Sequence, residues 1–273
     1  MSGARLTSIE SLGVTLLGDW RRPGGVTFAF TERTGGVSPQ PFDSLNLGDR
    51  CGDDEACVRR NRARALAALG GEGLLRRLVN PLQVHGTNVV VVDDGTDEGV
   101  EEARRQAQEG ADAIVCTVND VPVLLCYADC VPVVLTAPGA FAVVHSGWRG
   151  TIERISAKAL RVLCEASGAA LADVRAYVGP HVGVADYEVS AELAQRFVAE
   201  FGEGACQPGN HLDLGFCVAQ ALHDAGVSAD ALASCDVSTA SATNRFFSYR
   251  ASGGTCGRHG ALAFIPGGAK GEV

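Results

Sequence analysis

Apolar residues occur in short blocks along most of the chain. The runs at 26–30, 89–92, 113–116, 123–126, 131–136, 141–145, 174–178 and 261–265 have the length and β-branched content of strands. Helical patterns lie between them. Residues 55–69 open on an acid, carry strong helix formers and stop at Gly70. Residues 151–166 repeat apolar side chains at Ile152, Ile155, Ala159, Leu160 and Leu163, the period of a half-buried helix that Thr151 would cap. Residues 191–201 and 216–225 behave alike. Residues 93–110 are acidic and polar apart from Val100 and read as a solvated loop with a short helix. The strands between 111 and 145 are joined by turns too short for helical crossovers, so they pair antiparallel. The expected class is α+β with mixed, largely antiparallel sheets. No repeat or low-complexity segment divides the chain, and residues 1–273 read as a single domain.

One hairpin gathers candidate chemistry. Pro138-Gly139 separates two apolar runs and is a strong turn signal. A hairpin centred there pairs residues whose numbers sum to roughly 277. Cys130 and His145 then share one end and one face of the hairpin as diagonal neighbours, an inference that a one-residue slip would break. A thiolate beside an imidazole suits either a zinc site or a metal-free Cys–His catalytic pair. His85, in Gln83-Val84-His85-Gly86, is the third candidate ligand, and three protein ligands leave a fourth position open as in catalytic zinc sites. Copper accepts the same donors, but six histidines in the whole chain are few for a multicopper centre. After His145 the chain passes through Gly147 and Gly150 toward a helix start, a geometry that can hold an anion with help from Arg149. Trp148 either stacks on a base or fills the core.

Composition narrows the partners. With 46% hydrophobic and 20% charged residues the 273-residue chain is globular rather than disordered. A net charge of -9 repels polyanions, so no nucleic-acid partner is expected. No signal-peptide pattern opens the chain, and no apolar run reaches the roughly 18 residues of a membrane span. A cytoplasmic protein without membrane contact is therefore expected. There the ten cysteines, none in C-x-x-C spacing, are mostly free, buried thiols.

Several segments in one order resemble the YfiH-like family, also called the multicopper polyphenol oxidase or laccase-domain family. They are Arg33-Thr34-Gly35-Gly36, Ser44-Leu45-Asn46-Leu47-Gly48, Gln83-Val84-His85-Gly86, Ala111-Asp112-Ala113, Ala128-Asp129-Cys130-Val131-Pro132 and His145-Ser146-Gly147-Trp148-Arg149-Gly150. Gly179-Pro180, Tyr187-Glu188-Val189 and Phe247-Ser248-Tyr249-Arg250 complete the set. The resemblance implies α/β/β/α layers and a zinc ion on His85, Cys130 and His145. It implies phosphorolysis of adenosine, inosine and methylthioadenosine, with adenosine deamination. Copper laccase chemistry and removal of misplaced serine from a peptidoglycan precursor are the alternative activities. Cys130, His85, His145 and Arg149 form the expected catalytic set, with Arg33, Asn46, Trp148 and Arg250 as substrate contacts. Nucleoside and phosphate are the expected ligands of a monomer or homodimer.

Overall fold

A computed structural model describes residues 3–267; residues 1–2 and 268–273 of the expected domain lie outside the described part. The strands are β1 (Thr7–Ser11), β2 (Val14–Gly18), β3 (Thr27–Thr31), β4 (Val89–Val92), β5 (Ala113–Cys116), β6 (Val123–Tyr127), β7 (Val131–Ala137) and β8 (Ala140–Ser146). They continue with β9 (Arg175–Val178), β10 (Cys206–Gln207), β11 (His211–Leu212), β12 (Leu232–Ser234) and β13 (His259–Phe264). The helices are α1 (Glu55–Ala68), α2 (Asp97–Gln108), α3 (Trp148–Ile152), α4 (Ile155–Ser167), α5 (Ala191–Phe201) and α6 (Leu214–Asp224). No helix among the described residues is long and apolar enough to cross a membrane.

Two sheets stack face to face. One runs β1-β2-β3-β13-β6 and the other β12-β9-β7-β8-β5-β4. Within them only β12–β9 and β4–β5 pair in parallel. Phe28, Phe30, Leu125 and Ala263 of the first sheet and Ile114, Val134, Val143 and Tyr177 of the second bury one another. Leu16, Ala29 and Leu262 close the outer face of the first sheet against Ala65 and Leu66 of α1. Val133, Leu135, Ala142 and Val144 close the outer face of the second against α4, α5 and α6. The order helix, sheet, sheet, helix follows from each sheet having two apolar faces to cover.

The β7–β8 hairpin has the expected register: Val133 faces Val144 and Thr136 faces Phe141. Pro138-Gly139 forms its two-residue turn, with Gly139 at φ 66°. Strand alternation then decides the faces. Val131, Val133 and Leu135 point to the helices, so Cys130 and Val134 point between the sheets; Phe141, Val143 and His145 do likewise. Both site residues therefore open into the seam between the layers.

Two expectations need correction. The segment 151–166 is not one helix. It breaks at Arg154, whose φ of 57° is left-handed, into α3 and α4. Thr151 is no cap but sits inside α3, its hydroxyl against Ser146, while Gly147 takes the cap position. The acidic stretch 93–110 holds a 12-residue helix, α2, capped by the Thr96 side chain on Gly99 N. Val100, Ala103 and Ala107 are its buried stripe. Two alanines at that spacing bury a helix face as well as larger residues do when the sheet lies close.

His259 on β13 lies opposite Tyr127 and is fully buried against that ring and Phe246. Neither ring nitrogen has a hydrogen-bond partner among the described residues. Burial, reinforced by the Arg258 charge, lowers its pKa to about 3. The unfolded chain takes up this proton as pH falls below about 6.5, whereas the folded chain refuses it, so stability is complete above that pH and is lost on acidification. Between pH 6 and 4 this residue is expected to remove about 1.4 kcal/mol per pH unit. Denaturant unfolding of His259→Phe against the parent should show that slope flattened in the variant.

Candidate functional site

Asp112 organises the site. It precedes β5, is fully buried, and its carboxylate accepts the backbone N–H groups of Val84 (3.2 Å), His85 (2.9 Å) and Gly86 (2.7 Å). Its Oδ1 also lies 2.7 Å from Nδ1 of His145. Its backbone carbonyl accepts from His145 N at 2.7 Å. One side chain thus fixes the loop that carries His85 and the ring of His145. Three amides in a row can face one carboxylate because His85 adopts φ 59°. With Nδ1 held by Asp112, the other nitrogen of His145, Nε2, faces Cys130 and is the atom that would bind a metal once its proton is displaced.

Cys130 completes the group. It follows Asp129, whose φ of 88° turns the chain into β7. The ligand atoms of His85, Cys130 and His145 all lie within 4.8 Å of one another. The two imidazole rings stand nearly perpendicular, 4.8 Å between centroids. Gly147 makes room for this convergence. A Cβ there would sit 2.9 Å from His85 Cδ2 and 3.2 Å from the Cys130 Sγ. Two imidazole nitrogens and a thiolate gathered around an open position are the donor set of a transition-metal site.

The charges are mutually dependent. Burial alone would push the Cys130 thiol up, but the charge of His145 and hydrogen bonds from both imidazoles outweigh it and bring the thiol down to about 6. Burial also disfavours the His145 imidazolium, yet Cys130 and Asp112 outweigh it and lift His145 to about 9. Asp112 resists its own burial through His145 and the amides of Gly86 and Val84, which keep its carboxyl below the usual range. A thiolate is thereby present at neutral pH, as metal ligation requires.

Two hollows meet at this group. The larger, about 840 Å³, is lined by His85, Cys130 and His145 together with Arg50, Tyr249, Arg250 and Arg258. The smaller, about 220 Å³, is lined by Trp148, Arg149, Val182 and Leu214. His85, Asp129, Cys130 and Tyr187 belong to both walls. Arg250 lies over the Tyr187 ring at 4.8 Å, and Arg149 over Trp148 at 4.9 Å. Neither guanidinium has a carboxylate partner among the described residues.

The expected site residues separate into two groups. His85, Cys130, His145, Arg149, Trp148 and Arg250 all border these hollows. Arg33 and Asn46 do not. Arg33 donates to the carbonyls of Asp43 and Thr243, pairs with the Asp43 carboxylate at 3.2 Å and lies over Phe247, beside a separate hollow. Asn46 is fully buried; its Oδ1 accepts from Gly48 N and Arg258 N, and its Nδ2 donates to Asp53. Both residues brace loops, and neither lines these two hollows. Reading the sequence missed Asp112 and Tyr187. A carboxylate at the head of an apolar strand was the available signal for the first. Nothing in the sequence marked the second beyond its place in a shared motif.

A three-ligand His-Cys-His cluster at the seam of an α/β/β/α fold defines the class, and the comparisons agree. Residues 27–266 match the model of the family described as multi-copper polyphenol oxidoreductase laccase, and the chain belongs to that family. It is 35% identical over 262 residues to a protein of Xylella fastidiosa named purine nucleoside phosphorylase, covering 92% of this chain and 96% of that one. A Mycobacterium bovis protein of the same name is 37% identical over 243 residues, covering 86% and 90%. The crystal structure of the Bacillus licheniformis hypothetical protein YfiH is similar at TM-score 0.83 and 27% identity, covering 94% of this chain and 97% of that one. YlmD from Geobacillus stearothermophilus gives TM-score 0.83 at 28% identity, covering 95% and 98%.

Removing the Asp112 carboxylate strands three amides and an imidazole N–H in the interior. Asp112→Ala is expected to destabilise the metal-free protein by about 3–5 kcal/mol, measured by urea unfolding.

Proposed function

We propose that the chain is a zinc-dependent purine nucleoside phosphorylase that also deaminates adenosine. The observation that carries this is the junction of the hollows. A His-Cys-His cluster, with His145 buried and His85 exposed, faces one space large enough for a nucleoside and a second, smaller space beside an uncommitted guanidinium. The names of the curated relatives support the substrate class.

Zinc suits the donors, since thiolate and imidazole in a three-ligand set leave one position open. A multicopper centre would need further ligand clusters. Among the described residues no second group of three or more His, Cys, Asp or Glu converges. His181, His211 and His223 are each tied to a backbone carbonyl. When bound, zinc supplies Lewis-acid polarisation and lowers the pKa of water toward about 7, which serves deamination.

The protein's own groups do the rest. Arg149 draws phosphate into the smaller hollow and neutralises its charge; Arg250 stands in the larger one. Phosphorolysis passes through an oxocarbenium-like sugar, as glycoside cleavage does. The attacking oxygen and departing base lie on opposite sides of C1′, which matches two hollows meeting at one point. Arg33, bound into a separate loop, takes no part.

Cys130→Ala is expected to lose both metal and activity. The protein is purified without added metal, assayed for zinc by elemental analysis, and incubated with inosine and phosphate. Ribose 1-phosphate with free hypoxanthine from the parent and neither from the variant is the expected result. Stoichiometric zinc retained by the variant contradicts the ligand assignment. Serine released from a UDP-muropeptide, with no phosphorolysis, contradicts the substrate class.

A further inference from the structure

We infer that Tyr187 is the catalytic acid that protonates the departing purine, an inference that rests on the nucleoside reading above. A purine leaves the sugar as a poor anion unless a donor reaches it, so a proton source must border the hollow that holds the base. The other groups there are engaged or, as with the side-chain amides, do not release a proton. Tyr127 gives its hydroxyl hydrogen to the Val144 carbonyl at 2.9 Å, Gln83 donates to Cys126 O at 2.8 Å and Asn80 to Leu124 O at 2.8 Å. The Cys51 and Cys126 thiols point at the carbonyls of Gly48 and Leu47. His85 and His145 are committed to the metal cluster. Guanidinium groups hold a ligand but do not release protons.

Two phenols remain. Tyr249 lies on the rim, 54% exposed, and borders the larger hollow alone. Tyr187 borders both hollows beside Cys130, and its hydroxyl makes no hydrogen bond among the described residues. It is therefore the phenol that borders both hollows, the junction at which the reading above puts the sugar–base bond. Arg250, 4.8 Å over the ring, stabilises the phenolate that forms.

The step balances. The C1′–N9 bond breaks with its electron pair on the purine, and the Tyr187 proton moves to N7. A phosphate oxygen forms the new bond to C1′. The hydrogen phosphate dianion, in becoming the sugar phosphate dianion, yields the proton that restores the phenol through solvent.

Tyr187→Phe tests this with inosine and 7-methylinosine as substrates. The methylated purine already carries a positive charge and leaves without protonation at N7. The kcat of the variant on inosine is expected to fall about 100- to 10,000-fold, while that on 7-methylinosine changes only a few fold. Zinc content and thermal midpoint should match the parent, because the lost hydroxyl has no partner. An equal loss on both substrates, no loss on inosine, or the selective loss appearing in Tyr249→Phe instead overturns the proposal. If the parent cleaves neither substrate in the presence of phosphate, the nucleoside reading itself fails and the role of Tyr187 falls with it.

Discussion

The Asp112 carboxylate carries the architecture of the site. It lies wholly inside the protein and would be costly there without partners. Three consecutive amides and one imidazole meet that cost. In doing so they tie the His85 loop to the strand that carries His145. Cys130 arrives by another route, as the diagonal neighbour of His145 across a hairpin. One hairpin and one carboxylate therefore place three donors from distant segments. Gly147 leaves the space in which they meet. A half-satisfied polar network of this kind is worse than none, so its members stand or fall together.

Around this centre the charge distribution runs against that of the chain. The protein is acidic overall, at -9, yet Arg50, Arg149, Arg250 and Arg258 border the two hollows. The acidic groups on those walls are engaged: Asp129 accepts from Thr239 and from Arg250 N, and Asp49 pairs with Arg62 at 3.2 Å. A low-dielectric cleft with a cationic lining focuses potential on small anions while the outer surface repels large ones. Asp129 also links the strand end next to Cys130 to the segment bearing Tyr249 and Arg250, so the metal-binding end and the wall of the larger hollow share one support.

Much of this was legible where the chemistry is local. Pro138-Gly139 sets the turn, the turn sets the register, and the register puts Cys130 and His145 on one face. The layers followed from the resemblance, and the apolar blocks marked most core strands. Reading failed where the deciding partner is remote. Asn46 and Arg33 sit in motifs that look like ligand contacts, but Arg258 and Thr243 across the chain turn them into braces. The break at Arg154 left no mark in the apolar period, which passes through it without interruption. The helix expected in 93–110 runs 12 residues as α2, longer than its apolar content suggests, because alanine is a weak hydrophobic signal. Tyr187 faces the hollows only because the turn at Val184–Asp186 and the β11 segment direct it inward, a tertiary effect with no short-range trace.

X-ray absorption at the metal edge, on protein purified without added metal, interrogates the convergence of the three side chains most directly. The expected spectrum is that of zinc with one sulfur at about 2.3 Å and two imidazole nitrogens at about 2.0–2.1 Å, plus one light atom in the open position. A shell with no sulfur, with several sulfurs, or with oxygen ligands alone would contradict the placement of Cys130, His85 and His145 around one ion.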